Sequence, residues 1–334
     1  MAPRTPPTIY DVAELAGHSI ATVSRVLNSP ESVSEKTRHK VLAAIEELGF
    51  VPKADARARA RREIGRIGVI TPFFTMPSFN QRLRGIAGAL VGSRYELTIY
   101  PVDSLSRLEG YFTVLPLRRQ LDGLIAMSVP LNNLSLRQLR ESGIPTVFIE
   151  NRAPGFASIE IDNRAGGRLV AEYLVKKGHR RFAYVGDHVV PDYTTKPEAD
   201  RLEGYRVTLA ESGFDLPDEH LKLPAFPPRD PDRQVHELLD LNEPPTGIFA
   251  ATDDLALRVL KVARERGLRI PKDLAVVGFD DVDIAGYLDL TTVDQSLDGS
   301  GKLAVEQVIA QISDPTRAIQ NTFIELKLIE RGTA

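Results

Sequence analysis

From residue 66 onward the chain repeats one pattern: short β-branched apolar runs separated by 20 or so residues of helical periodicity. Runs at 67–71, 97–102, 123–128, 146–150, 182–186, 247–251 and 275–279 are largely continuous in apolar residues rather than strictly alternating. A strand apolar on both sides must bury both sides, which is the situation of a parallel sheet layered between helices. The pattern therefore predicts successive βαβ units. Roughly 270 such residues exceed one comfortable sheet, so two similar α/β lobes are expected. The first would take about 66–162 and regain 291–320; the second would take about 163–290 and regain 321–330.

The first 62 residues lack this pattern and read as helices only. Thr8 can cap a helix that ends at Gly17, with Ile9, Val12, Ala13 and Ala16 on one face. Ser19 can open a second, short helix whose inner face is Val23, Val26 and Leu27. Ser34 starts a third, with a stripe of Val41, Leu42, Ile45 and Leu48, and Gly49 and Pro52 close it. The expected organisation is a helical headpiece over 1–52, a linker over 53–65 and an α/β core over 66–334. Charge follows the same division. Residues 1–62 carry 10 Lys and Arg against 7 Asp and Glu, and the remainder 32 against 38, for a net −3. Arg57, Arg59, Arg61 and Arg62 are the densest cluster. A basic head on an acidic body fits a DNA-binding module fused to something else, although arginine runs also occur as plain solvated surface.

Two short helices around Gly17 describe a helix-turn-helix, whose second helix enters the major groove. Ser19, Ile20, Ala21, Thr22 and Arg25 should face outward near the start of that helix. A guanidinium can grip guanine O6 and N7 together, and hydroxyls suit phosphate oxygens. Spacing alone fits a plain αα-hairpin with a solvated face equally well.

Other classes are excluded more sharply. The 334 residues contain no cysteine, which removes disulfide scaffolds, thiolate metal sites and cysteine nucleophiles. No apolar run approaches the roughly 18 residues of a membrane span, and a cytoplasmic protein is expected. No Gly-x-Ser-x-Gly, Walker lysine loop or Gly-x-Gly-x-x-Gly follows a strand, and the six histidines are scattered. No catalytic residue, metal or cofactor is expected. Of the rival readings, a sugar-binding protein leaves the headpiece unexplained, and an NAD-dependent or sugar-processing enzyme lacks its fingerprint.

The segment Ile9-Tyr10-Asp11-Val12-Ala13-Glu14-Leu15-Ala16-Gly17-His18-Ser19-Ile20-Ala21-Thr22-Val23-Ser24-Arg25-Val26-Leu27-Asn28 resembles the headpiece of the LacI/GalR family of bacterial repressors. Val33-Ser34-Glu35-Lys36-Thr37-Arg38 and Leu48-Gly49-Phe50-Val51-Pro52 extend the likeness. Asp122-Gly123-Leu124-Ile125, Gly178-His179-Arg180-Arg181, Arg201-Leu202-Glu203-Gly204-Tyr205, Val277-Gly278-Phe279-Asp280-Asp281 and Thr291-Thr292-Val293-Asp294-Gln295 continue it in family order. The resemblance implies a repressor with a hinge helix and a core like the periplasmic sugar-binding proteins. It also implies a homodimer on near-palindromic double-stranded operator DNA, controlled by a small effector and independent of membranes.

Carried over by position, Ile20 and Ala21 are the variable specificity residues and Arg25 is the base-reading arginine. Tyr10, Ser19, Thr22, Ser24 and Asn28 match backbone-contacting positions. In the hinge, which starts near Lys53, Ala56 keeps the small residue expected where two hinge helices meet. The usual minor-groove leucine is replaced by Arg59, which can enter a narrow groove electrostatically but cannot wedge a base step apart. In the core, Phe79 occupies the place of a ring that stacks on the ligand, and Phe73 lies near it, as core or as pocket. Glu150 can accept hydroxyl protons, and Arg201 matches the ligand-binding arginine. Asp280 and Gln295 belong to the matching motifs. Thr252 and Asp253 open a helix after a strand, Asp253 as a pocket residue or merely as a cap. These groups suit a polyol, with a sugar or glycoside as the expected effector; a purine or nucleoside stacked on Phe79 is the alternative.

Overall fold

The computed structural model describes residues 8–28, 33–48, 64–118, 120–186, 191–223, 230 and 232–334, except for the side chains of 27, 28, 46 and 117. The chain divides at 63/64 into two compact units.

The smaller unit holds α1 (Ile9–Ala16), α2 (Ile20–Asn28) and α3 (Glu35–Leu48). The Asp11 carboxylate accepts from the Thr8 amide at 2.6 Å and from its hydroxyl, fixing the start of α1. Gly17 ends it at φ +65°, a left-handed conformation that an L side chain resists, and the His18 amide bonds back to the Ala13 carbonyl at 3.0 Å. The Ser19 hydroxyl then caps α2 by accepting from the Thr22 amide at 3.2 Å. Val12, Val23 and Val41 meet at the centre, fully buried. The stripe on α3 departs from expectation at one position. Ala44 is buried and Leu42 is 47% exposed, because positions 41, 44, 45 and 48 share a helical face that excludes 42.

The larger unit opens with β1 (Gly65–Pro72), α4 (Pro77–Leu90), β2 (Tyr95–Val102), α5 (Leu105–Arg118), β3 (Gly123–Met127), α6 (Asn133–Ser142), β4 (Thr146–Ile149) and β5 (Ala157–Ile161). It continues through α7 (Asn163–Lys176), β6 (Phe182–Val185), α8 (Pro197–Glu211), β7 (Leu221–Lys222), α9 (Arg233–Leu239), β8 (Gly247–Ala250), α10 (Asp253–Glu265), β9 (Ala275–Val277) and α11 (Asp283–Tyr287). The chain then passes through β10 (Thr292–Asp294), α12 (Leu297–Ser313), β11 (Asn321–Ile324) and β12 (Lys327–Ile329). Two lobes result. The first is a six-stranded parallel sheet in the order β11-β5-β4-β3-β1-β2; the second is a four-stranded parallel sheet, β7-β6-β8-β9.

Alternate residues of the first sheet feed two cores. Ile67, Val69, Ile125 and Met127 pack under α4 and α12, while Ile70, Leu124, Ala126 and Phe148 pack under α5 and α6. Burial on both sides is why these strands read as continuous apolar runs. β5 carries no such run because Ser158 and Glu160 interrupt it, and it was not expected.

Residues 291–334 divide between the lobes differently from expectation. Thr291 and Asp294 bridge to Val277 and Asp280, so 291–294 extends the second sheet, and β12 pairs antiparallel with β10. β11, expected in the second lobe, lies beside β5 in the first. The Ser158 hydroxyl bonds Asn321 at 2.8 Å and the Gln307 amide donates to the Thr322 hydroxyl at 3.0 Å, which fixes that placement. The lobes are therefore joined three times, after β5, after β10 and after β11.

Glycines allow two close helix crossings. A β-carbon on Gly301 would stand 2.2 Å from the Arg82 carbonyl oxygen, and one on Gly85 2.1 Å from that of Asp298, where α4 meets α12. Gly167 and Gly204 do the same where α7 meets α8, at 2.0 Å from the carbonyls of Arg201 and Arg164. No helix among the described residues is long and apolar enough to cross a membrane.

Candidate functional site

Parallel strands direct their carboxyl ends to one edge, where α/β folds collect ligands. Here those ends are also backbone-strained. Phe73 after β1, Ser128 after β3, Glu150 after β4, Asp280 and Asp281 after β9, and Ser296 after β10 hold φ between +47° and +120°. Non-glycine residues hold such angles at a cost on the order of 1–3 kcal/mol each, and they persist where the surroundings over-determine them. At Ser128 and Glu150 the strands end one residue earlier than the apolar runs suggest, and both side chains join the lining of one cleft.

A cleft between the lobes receives Phe73, Phe79, Glu150, Arg201, Thr252, Asp280 and Gln295 together, and adds Arg82, Ser128, Thr194, Thr195, Glu198 and Arg258. Its floor is a continuous polar chain. The Ser128 hydroxyl donates to Glu150 Oε2, and Arg82 Nη2 donates to Glu150 Oε1 at 2.7 Å and to Gln295 Oε1 at 3.3 Å. The Gln295 amide nitrogen donates to Asp280 Oδ1, and Asp280 lies 3.9 Å from Arg201 Nη1. Arg201 donates to the Asn163 side chain at 2.9 Å and the Ala251 carbonyl at 2.6 Å, with its guanidinium 3.7 Å above the Phe279 ring. A fork fixed from three sides presents its remaining donors with little orientational entropy to lose.

The acids of the cleft differ in charge state. Burial pushes Asp280 up to about 7, against the opposing pull of Arg201, and Glu150 adds to the rise. Burial acts on Glu150 too, but Arg82 and the Ser128 hydroxyl hold it below the ordinary glutamate value. Burial also raises Glu198. Aromatic rings join the lining: Phe73 meets Phe79 edge-on at 5.8 Å, and behind it Tyr193 lies 6.0 Å from Phe73. The lobes touch beside it, where the Thr194 hydroxyl and Thr195 amide both donate to the Ser128 carbonyl at 3.0 Å.

Asp253 is the expected residue that the structure does not bring to the cleft. It is fully buried behind it, with Oδ2 accepting from the Val282 amide at 2.9 Å and Oδ1 from the Thr292 hydroxyl. Burial and the neighbouring Asp280 raise its pKa well above the usual range. Nor is it the cap of α10: Thr252 is, accepting from the Leu255 amide at 3.3 Å. Arg82 was missed although a signal existed. Positions 79, 82, 83, 86 and 90 form one stripe of α4, and a charged residue inside an apolar stripe needs a partner.

In the smaller unit Tyr10, Ser19 and Thr22 border one concave surface between α1 and α2. Tyr10 is 65% exposed, and Ala21 and Arg25 are exposed as well. Ile20 departs from its expected outward placement: it is half-buried against the valine core. Ser19 bonds the Thr22 hydroxyl at 2.9 Å, and Ser24 is half-buried. Asn28 ends α2, with its side chain outside the described set, and Gly49, Pro52, Lys53, Ala56 and Arg59 lie outside the described residues.

Residues 8–53 match a family model described as bacterial regulatory proteins, lacI family, and residues 171–334 match a periplasmic binding protein-like domain. The ribose operon repressor of Escherichia coli (strain K12) is 32% identical over 333 residues, covering 98% of this chain and 99% of its own. A solved complex of the transcriptional regulator CelR with cellobiose is similar at a TM-score of 0.68 and 28% identity, over 98% of this chain and 100% of that one. The Lac repressor dimer bound to operator and the anti-inducer ONPF is similar at a TM-score of 0.68 and 27% identity, over 98% and 99%.

Proposed function

Because this chain belongs to the lacI family of bacterial regulatory proteins, DNA-binding transcriptional regulators rather than enzymes, we propose that it represses carbohydrate-utilisation genes under the control of a hydroxylated effector held between its core lobes. It acts in the cytoplasm as a homodimer on a near-palindromic operator, as the operator-bound Lac repressor dimer suggests. The observation that carries the effector reading is the cleft lining, where acceptors and donors alternate from Ser128 to Arg201 and Phe73 and Phe79 add aromatic rings. A sugar ring has that make-up: hydroxyls that donate and accept around the edge, and a C–H face that packs on phenylalanine. The cavity, about 110 Å³, is small beside the ~300–1,000 Å³ of sites for drug-sized molecules, which favours a single ring.

Glu150 and Asp280 accept hydroxyl protons in this reading, Arg201 donates to a neighbouring hydroxyl pair, and Phe79 carries the ring face. Effector binding shifts the balance between lobe arrangements by its differential affinity for them, and operator affinity changes by no more than that difference. Arg25 reads a guanine, and Ala21 with the half-buried Ile20 offers apolar contact alone. Arg59 in the hinge makes binding more salt-dependent and the operator less kinked than a leucine would.

The test is a thermal-shift screen of the full chain against monosaccharides, disaccharides, sugar acids and nucleobases. A ligand at 100 times its Kd stabilises the native state by about 2.7 kcal/mol, a readily measured shift. A monosaccharide hit that Arg201→Ala abolishes is the expected result. A nucleobase hit would overturn the sugar assignment while leaving the regulator intact.

A further inference from the structure

Arg82 lies on α4, 2% exposed, among the apolar residues that face the first sheet. Its Nη2 donates to both Glu150 Oε1 and Gln295 Oε1, and its Nε donates at 2.9 Å to the Ser300 hydroxyl, whose own proton goes to the Leu297 carbonyl at 2.7 Å. A guanidinium can only donate, so every contact with it dictates the polarity of the partner. Glu150 must accept on one oxygen while Ser128 donates to the other, which holds the carboxylate from two sides. Gln295 must turn its oxygen to Arg82, so its NH₂ group turns to Asp280 and makes Asp280 Oδ1 the acceptor. Glu150 stands at the end of a first-lobe strand and Asp280 at the end of a second-lobe strand.

We propose that Arg82 is the positioning residue of the cleft, orienting Glu150 directly and Asp280 through Gln295, so that one carboxylate from each lobe faces the same ligand with fixed acceptor oxygens. The proposal rests on the cleft being the effector site, but its test needs no effector. The groups facing Glu150 are the cations Arg82 and Arg201 and the acids Asp280 and Glu198; those facing Asp280 are Arg201, Arg82, Glu150 and the buried Asp253. Arg82→Met keeps the bulk of the stem and removes the charge. Glu150 is then buried beside two acids with its nearest cation gone, and its carboxyl rises above the usual range. A folded-state carboxyl raised in this way binds a proton that the unfolded chain releases, so native stability falls as pH rises.

The experiment measures Tm of the full chain at pH 5, 6.5 and 8 for the wild type, Arg82→Met, Arg82→Lys and the double variant Arg82→Met/Glu150→Gln, with crystal structures of the lysine and double variants. The Tm deficit of Arg82→Met relative to wild type should grow by at least a few degrees from pH 5 to pH 8. Adding Glu150→Gln should remove most of that growth, and Arg82→Lys should stay close to the wild-type profile. In the double variant Gln295 should rotate away from Asp280. A deficit equal at all three pH values, with Gln295 and Asp280 unmoved, is what mere space-filling by Arg82 produces and would overturn the proposal. If Arg82→Met does not fold at pH 8, folding of the double variant there supports it, and equal failure of both overturns it.

Discussion

Asp280 is held in a conflict between burial and use. Its φ of +120° lies where glycine is at ease, its side chain is buried, and its carboxyl is pushed up to about 7. Between its ordinary value near 3.8 and 7 the native state therefore binds a proton that the unfolded chain has released, so stability falls as pH rises across that window. Asp280→Asn should flatten this fall, leaving the variant at least as stable as wild type at pH 8 while effector binding is lost; urea denaturation from pH 4 to 8 measures it. Tyr205 shows a similar tension without a functional counterpart. Its ring is fully buried against Phe249 and its hydroxyl has no hydrogen-bond partner among the described residues. Tyr205→Phe should be neutral or stabilising by about 1 kcal/mol, since it removes an unsatisfied polar atom; a loss of stability in the same assay would mean a partner has been overlooked. Glu150, Arg201 and Asp280 were legible because strand ends and motif order announce them. For Arg82 the stripe of α4 signals a buried charge but not its role, because its partners lie 68 and more positions away in sequence and only the fold joins them.

At the scale of elements, short apolar runs were legible wherever a strand is buried on both sides. The edge strand β2 was legible too, and the misses fall where short strands are held by polar bonds: β5 through Ser158, β11 through Asn321 and Thr322. Asp253 was misplaced for a related reason. Periodicity shows which residue opens a helix but not which side of the strand behind it the side chain takes. The glycine crossings join the elements to the site, because Gly301 rests on the Arg82 carbonyl and Gly167 on that of Arg201. Gly301→Ala would place a methyl carbon 2.2 Å from backbone oxygen, and no flexible side chain is there to give way. Overpacking of this kind costs roughly 1–3 kcal/mol or more, so Gly301→Ala should lower Tm and weaken effector binding together. A variant with lowered Tm and unchanged effector binding would argue against any support of the site by the crossing.

For the whole molecule, the division of labour predicts separable lesions. Arg25→Ala should weaken operator binding by about 1–3 kcal/mol, roughly 5- to 150-fold, while the thermal shift given by the sugar is unchanged. A gel-shift titration beside the sugar screen checks both, and equal operator affinity would refute the base-reading role. Two compact units and a two-lobed core were legible in the sequence; the threading of residues 291–334 was not, because short polar-held strands carry no strong pattern. That threading has a consequence in time. Synthesis at about 5–20 residues per second puts some 8–32 s between the emergence of β5 and of β11, its neighbour in the first sheet. β12 follows later still, so the first lobe lacks its full complement of strands until residue 324 has been made, and the second until residue 329. The growing chain must therefore carry an unpaired β5 edge on the ribosome while the second lobe is being made, and that exposed edge is where a nascent-chain chaperone would be needed most.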